Sequence, residues 1–347
     1  MQPPEEMKPR RRRTNRARVL LGFGGLAVFL FFTSIRGLAG FWTDYLWFDS
    51  LSLSSVWASV LWAKIGLGLL FTAIFFVAIW ISLFIADRLA PKVRPPGPED
   101  ELSRRWQQFT ASRSILVRSV ISLLFALLVG AGVSSQWQSW LFFTNRVDFG
   151  IVDQQFGIDV GFYVFQLPFL TFVVNWAFAA ILVILVVTTI EHYLNGGIRL
   201  QGQAGSRVTP QVKAHLSLLL GLLALIKGVG YYLDRYELTL SERGFVTGAT
   251  YTDVKAQLPA LQLLMIVSVF CFGLLIFNIW RRGFTYPIIA VGLWALVASL
   301  AGTIYPALVQ RFQVEPSEST KEAPYICLLY TSPSPRDQRG SGVAGWG

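Results

Sequence analysis

Few residues in this 347-residue chain have types and positions suited to chemistry, and the first of them is a lysine inside an apolar run. Lys227 stands seven residues before Asp234. Seven residues of helix return to nearly the same face, so the two can meet. Ionisable groups inside a membrane-crossing segment are costly, which makes each a functional candidate by default. A buried lysine can hold an anion or relay a proton; the structural alternative is that Lys227 snorkels outward toward Asp234 or Glu237. Asn175 and Gln262 stand in two further apolar runs. They can line a path, or act as interhelical glue worth about 0.6–2 kcal/mol.

A second group lies in the segment DFGIVDQQFGIDVGFYVFQLPF, where Asp148, Asp153 and Asp159 alternate with Phe and Gly. Several carboxylate oxygens suit a hard cation such as calcium, but the spacing matches no EF-hand, and solvated loop carboxylates are the plainer reading. The segment LDRYELTLSERG adds Asp234, Arg235 and Glu237, which can pair locally at a membrane surface. The two histidines, His192 and His215, fall near the ends of apolar runs and form no HExxH pair. Glu191 and His192 are adjacent and point about 100° apart on a helix, which reads as a solvated interface pair. There is no Walker loop, GxSxG elbow or dinucleotide fingerprint, so enzymatic chemistry has no positive support and no cofactor or metal is implied. Cys271 lies in an apolar run and Cys327 near the end, a pattern that implies neither a disulfide framework nor a thiolate metal site.

These residues must be positioned by helices in a membrane. The chain is 53% hydrophobic and 14% charged, against roughly a quarter charged in a soluble domain. Its apolar residues gather in blocks of about twenty, the length that crosses a hydrocarbon core of about 30 Å as helix. Seven spans are expected: 19–35, 65–86, 115–133, 169–190, 216–233, 258–280 and 286–304. The fold class is therefore an all-α seven-helix transmembrane bundle. Residues 1–18 form a basic tail, read as leading into a retained signal anchor since no small-residue cleavage site follows.

Orientation follows from Lys and Arg, which resist translocation. The tail before the first span carries seven of them, and the loop around Arg88 to Arg118 seven more. Arg199, Arg207 and Lys213 mark the fourth loop, and Arg281 and Arg282 the sixth. These segments are expected in the cytoplasm and the C-terminus outside. A net charge of +10 is thus a topology signal, and no nucleic acid is implied. Phe41, Trp42, Tyr45, Trp47 and Phe48 place the first outer loop at the headgroups, as do Trp137 and Trp140 the second. Pro91, Pro95, Pro96 and Pro98 read as a linker before a surface helix over 101–112. Ala126 with Gly130 and Ala298 with Gly302 are small pairs that permit close helix approach. Residues 305–326 begin an outer region, and 327–347, rich in Pro, Ser and Gly, read as a disordered, non-native tail.

The stretches DYLWFDSL from Asp44, DQQFGIDVGFYVFQLP from Asp153, YYLDRYELTLSERG from Tyr231, GATYTDVKAQLPAL from Gly248 and YPALVQRFQVEPSESTKEAPYI from Tyr305 resemble the uncharacterised protein family 0182. Gln154 departs from the proline expected there. The resemblance covers about 36–326 and implies a large bacterial membrane protein with seven N-terminal spans and a long extracytoplasmic C-terminal region, of which this chain is the N-terminal part. The family has no established activity, so no catalytic residue is carried over.

Three functions follow as expectations. The first is a non-enzymatic protein of the bacterial inner membrane that anchors an outer domain, with the lipid bilayer and other envelope proteins as partners. The second is a transporter or channel using Lys227, Asn175 and Gln262. The third is an enzyme acting on lipid-linked envelope precursors through Asp153, Asp159 or Asp234.

Overall fold

The computed structural model describes residues 16–90, 105, 106, 108, 110, 113–198, 208–241 and 248–330. The basic residues before Arg16, most of the expected surface helix and residues 331–347 lie outside the described residues. Described residues are overwhelmingly helical; among them there is no β-sheet, only the isolated bridges Val152 to Asp159 and Ile198 to Val208. The chain divides into two compact units, 1–62 and 63–347.

In the first unit, α1 (Arg16–Ser50) contains the first expected span and continues through the aromatic segment that was expected as an outer loop. That expectation is corrected: the connection to α2 (Ser54–Arg88) is a tight turn, with Ser52 in the left-handed region at φ 57° and the Leu53 N–H donating to the Phe48 carbonyl at 2.9 Å. Trp57 explains the helical continuation, because its ring meets those of Phe41 and Tyr45, each at 5.0 Å between centroids. Such edge-to-face pairs add about 0.5–1.5 kcal/mol beyond their buried area.

The second unit holds the rest of α2 and the later helices. The third expected span is α3 (Ser114–Ala131), which runs through a 3-10 turn, Gly132–Gln136, into α4 (Trp137–Thr144). Then come α5 (Leu167–Leu194), α6 (Pro210–Glu237), α7 (Leu258–Arg281) and α8 (Thr285–Ser299), followed by the short α9 (Tyr305–Val309) and α10 (Glu318–Tyr330). Cys327 to Tyr330, expected to be disordered, belong to α10. Six helical stretches among the described residues are long and apolar enough to cross a membrane: Ser54–Arg88, Ser114–Thr144, Phe162–Leu194, Pro210–Leu240, Asp253–Arg281 and Thr285–Tyr325. These carry the second to seventh expected spans.

Helix α6 packs between α5 and α7 and is the most buried and least apolar of the six stretches. Phe75, Ile79 and Leu83 of α2 join Ala126 of α3, Ala180 and Ile184 of α5 and Leu219 of α6 in one core cluster. Close approach depends on small residues. A Cβ at Gly130 would lie 2.0 Å from Thr72 Oγ1, and one at Gly302 would lie 3.2 Å from Leu264 Cδ1. Both expected small-residue pairs thus sit at helix contacts.

Prolines shape the helix starts. Pro168, Pro259, Pro306 and Pro316 each follow a wide π turn, at Phe162–Gln166, Asp253–Gln257, Leu300–Ile304 and Gln310–Val314. Proline lacks an N–H and its ring collides with the carbonyl four residues back. A turn that bonds five residues apart moves that carbonyl aside and leaves the helix continuous. The expected Arg281, Arg282, Gly283 turn is closed by a side chain: Asn278 Nδ2 donates to the Gly283 carbonyl at 3.0 Å, and the Gly283 N–H donates back to Asn278 Oδ1 at 3.1 Å.

Candidate functional site

Where α2 and α5 end and α3 and α6 begin, polar side chains meet inside apolar helices. Thr188 and His192 of α5 and Asn195, which caps its C-terminus, lie at i, i+4 and i+7 and share one face. Ser82 and Asp87 come from α2, Arg118 from the second turn of α3 and His215 from the second turn of α6.

The deeper part is a hydrogen-bonded file. Thr188 Oγ1 and Ser82 Oγ are 2.7 Å apart, Ser82 Oγ and His215 Nε2 are 3.4 Å apart, and His215 Nδ1 and His192 Nε2 are 3.0 Å apart. His192 is only 1% exposed, and its Nδ1 has no hydrogen-bond partner. A neutral imidazole donates through one nitrogen and accepts through the other. The file can be arranged in two ways, one with His192 Nε2 donating to His215 and His215 donating to Ser82, the other with every donor reversed and the buried His192 Nδ1–H left without an acceptor. The first arrangement leaves no N–H of the two rings without an acceptor, since the unpartnered His192 Nδ1 then carries no hydrogen.

The shallower part is ionic. Arg118 Nη2 donates to Asp87 Oδ2 in a salt bridge, and Asn195 Nδ2 lies 3.0 Å from both Asp87 Oδ1 and Glu191 Oε1. Arg118 is 7% exposed and its guanidinium lies 5.2 Å from the Trp80 ring and 5.1 Å from the Phe84 ring. Burying a charge is tolerable only with such a partner. A cavity of about 270 Å³ opens beside it, lined by residues of α2, α3 and α5 together with Trp106 and Thr110.

The sequence placed Glu191 and His192 as a solvated pair; the structure corrects this, since His192 is buried and bonded to His215. Arg118, counted there as a loop charge, is a buried helix residue. The bonds that join its helices link partners 23 to 133 positions apart. Its one legible signal was that Asp87, Arg118, Glu191, His192 and His215 all fall at span ends assigned to the same side.

The residues singled out in the sequence are placed elsewhere. Lys227 is half-buried on α6, with Nζ 4.9 Å from the centroid of the Tyr231 ring, and borders an apolar cavity of about 230 Å³ among α5, α6, α7 and α8. Asp234 is half-buried about two turns further along the same helix, while Asn175 and Gln262 lie on the exposed surface. Those two amides therefore do not join Lys227 around its cavity.

The carboxylates of the segment before α5 organise their own loop. Asp153 Oδ2 accepts from the Phe156 N–H at 2.7 Å and from the Tyr163 hydroxyl at 3.3 Å. Asp159 accepts three backbone N–H groups, from Phe149 at 3.0 Å, Gly150 at 2.8 Å and Gly161 at 2.7 Å. Donation led by Phe149 and Gly161 holds the Asp159 carboxyl below its ordinary value of 3.8. Glycines complete the fold: Gly150 and Gly157 sit at φ 73° and 67°, and a Cβ at Gly161 would lie 2.4 Å from the Val147 carbonyl. Asp148 is exposed. Among the described residues no three His, Cys, Asp or Glu side chains are grouped to hold a metal ion.

Comparison with known proteins gives a consistent match. The model of the uncharacterised protein family UPF0182 matches residues 21–328. A UPF0182 protein of Frankia casuarinae is 43% identical over 260 residues, covering 75% of this chain and 25% of that protein. One from Streptomyces coelicolor is 40% identical over 314 residues, 89% of this chain and 31% of the relative. One from Thermobifida fusca is 37% identical over 324 residues, 93% of this chain and 31% of the relative. The chain thus spans a quarter to a third of the length of these curated relatives. No solved structure matches it.

Proposed function

The chain belongs to UPF0182, an uncharacterised protein family, and on that premise we propose that it is the seven-span membrane part of a longer bacterial envelope protein. It anchors an extracytoplasmic region from the inner membrane, with its N-terminus in the cytoplasm. One observation carries the reading: the chain matches a quarter to a third of its relatives' length, yet six of its helical stretches are long and apolar enough to cross a membrane. The first span, 19–35, within α1 completes the seven. The positive-inside distribution of Lys and Arg supports the orientation. Fusions to alkaline phosphatase and to a fluorescent protein, placed after Ala90 and after Ile304, test it. Fluorescence is expected only at the first junction and phosphatase activity only at the second; the reverse pattern overturns the orientation. Removing everything after Tyr305 from a full-length relative should abolish its cellular role, and a retained role sinks the anchoring idea.

A second reading, proton-linked transport, is favoured by the buried file Thr188, Ser82, His215 and His192. Intramembrane polar chains of this kind mark proton paths. Protein reconstituted in liposomes should then dissipate an imposed pH gradient, and His215→Phe should block that. An unaltered rate in the variant removes this reading.

A further inference from the structure

The cavity beside Arg118 combines features that no part of the anchoring role requires. It sits where the stretches Ser54–Arg88 and Phe162–Leu194 end and Ser114–Thr144 begins, which is headgroup depth for a membrane protein. Its wall has two chemistries. Leu83, Phe84, Val117 and Ile121 form an apolar side, whereas Asp87, Arg88, Arg118 and Glu191 bring two positive and two negative groups to the other. Arg88 and Ser114 are exposed at the rim, and Val117 and Arg118 are buried at the base. Arg118 keeps donor capacity beyond its bond to Asp87, since its Nε has no partner. At about 270 Å³ the cavity is smaller than the roughly 300–1,000 Å³ of pockets that enclose drug-sized ligands. It has room for a headgroup and not for a whole lipid.

We propose that this cavity binds a zwitterionic phosphate-and-amine headgroup of the phosphoethanolamine type. The phosphate is met by Arg118 and Arg88 beside the start of α3, where a helix N-terminus favours an anion. The amine is met by Glu191 and Asp87. When the headgroup belongs to a phospholipid, its acyl chains leave over Leu83, Phe84, Val117 and Ile121. With both signs present in the wall, a zwitterion can pair with both, whereas a simple anion brings nothing for Asp87 and Glu191 to pair with.

The test uses the whole chain in a neutral maltoside detergent, with native mass spectrometry and thermal unfolding as readouts. Didecanoyl phosphatidylethanolamine should be retained and raise the melting temperature, and didecanoyl phosphatidylglycerol should bind at least tenfold more weakly. Free phosphoethanolamine separates the two sources: a matching shift supports the headgroup chemistry with a soluble ligand, and a much weaker one supports the lipid. Ala90→Phe fills the cavity without touching the ion pair and should reduce retention at least tenfold. Glu191→Gln should keep the fold and bring the two lipids to within about threefold of each other. Equal binding of both lipids by the unaltered chain, undiminished binding by Ala90→Phe, or no binding of either phosphoethanolamine form overturns the proposal.

Discussion

His192 Nε2 lies 3.0 Å from His215 Nδ1, with the two rings at 88° to one another. One hydrogen occupies that gap, so each ring fixes the tautomer of the other and, through His215, the direction in which Ser82 donates. His215→Ala should leave Ser82 and His192 short of a partner in the interior. A buried polar group left unpaired costs about 1–3 kcal/mol, a loss measurable as a lower melting temperature in detergent. His215→Asn, which restores a donor and an acceptor near the same place, should recover part of it.

Asp87 and Arg118 form the ionic half of the same region. In a double-mutant cycle built from Asp87→Asn and Arg118→Gln, each single change should destabilise and the pair should destabilise by less than their sum. The coupling is expected at about 1–3 kcal/mol, read from denaturant or thermal unfolding. Additive losses would mean that the bridge contributes nothing.

The α2 and α3 helices touch where Gly130 faces Thr72. A Cβ there would lie 2.0 Å from Thr72 Oγ1 and 2.9 Å from Thr72 Cα, so the backbone itself must move. Gly130→Ala is expected to cost about 1–3 kcal/mol, as overpacking does. Gly273→Ala is the matched comparison, because nothing lies within 4 Å of its added Cβ; that substitution should be neutral or slightly stabilising.

Asp159 gives the loop before α5 a defined pH response. Its folded-state pKa lies below the ordinary 3.8, so the charged form favours the folded loop. That contribution is complete above about pH 5, above the unfolded value. It is lost as pH falls through the lower, folded value. Hydrogen exchange at the Phe149, Gly150 and Gly161 amides should be slow and even from pH 7 to about 5, after correction for intrinsic rates, and lose protection below about pH 4. Asp159→Asn should lower the protection and flatten its dependence on pH.

Much of the architecture is readable from residue order alone. Apolar blocks bounded by charge or proline place the sixth span at 258–280 against a helix at Leu258–Arg281, because Pro259 and Arg281 mark both ends chemically. The extension of α3 to Thr144 escapes the same reading, since Ser134, Ser135 and Gln136 interrupt the apolar run although the 3-10 turn keeps the chain helical. The aromatic segment after Gly40 is likewise helical through contacts with Trp57 that hydropathy does not register. The polar network is the largest omission. Its members are single residues on four helices, each unremarkable in its own window, and only packing shows that Arg118 and His192 are buried. Conversely, Asn175 and Gln262 stand out in their windows but lie on the surface, because hydropathy reports depth along a helix and says nothing about which face is covered.

The central position of α6 has a consequence for how the protein is made. Its partners cover the face carrying Gly221 and Gly228, where α7 approaches within ordinary van der Waals reach or closer, and Lys227 lies on the same helix. Alone, such a helix is a poor client for insertion, since a lysine near its middle opposes entry into lipid by about 2.5–3.5 kcal/mol. During synthesis α5 is already in the bilayer when α6 emerges, and α7, which begins at Leu258, follows after α6 ends at Glu237. Helix α6 is therefore expected to be retained at the insertion machinery until a neighbour shields it, and a ribosome-stalling series with stops after Leu240 and after Arg281 should show it fully membrane-integrated only in the longer chain.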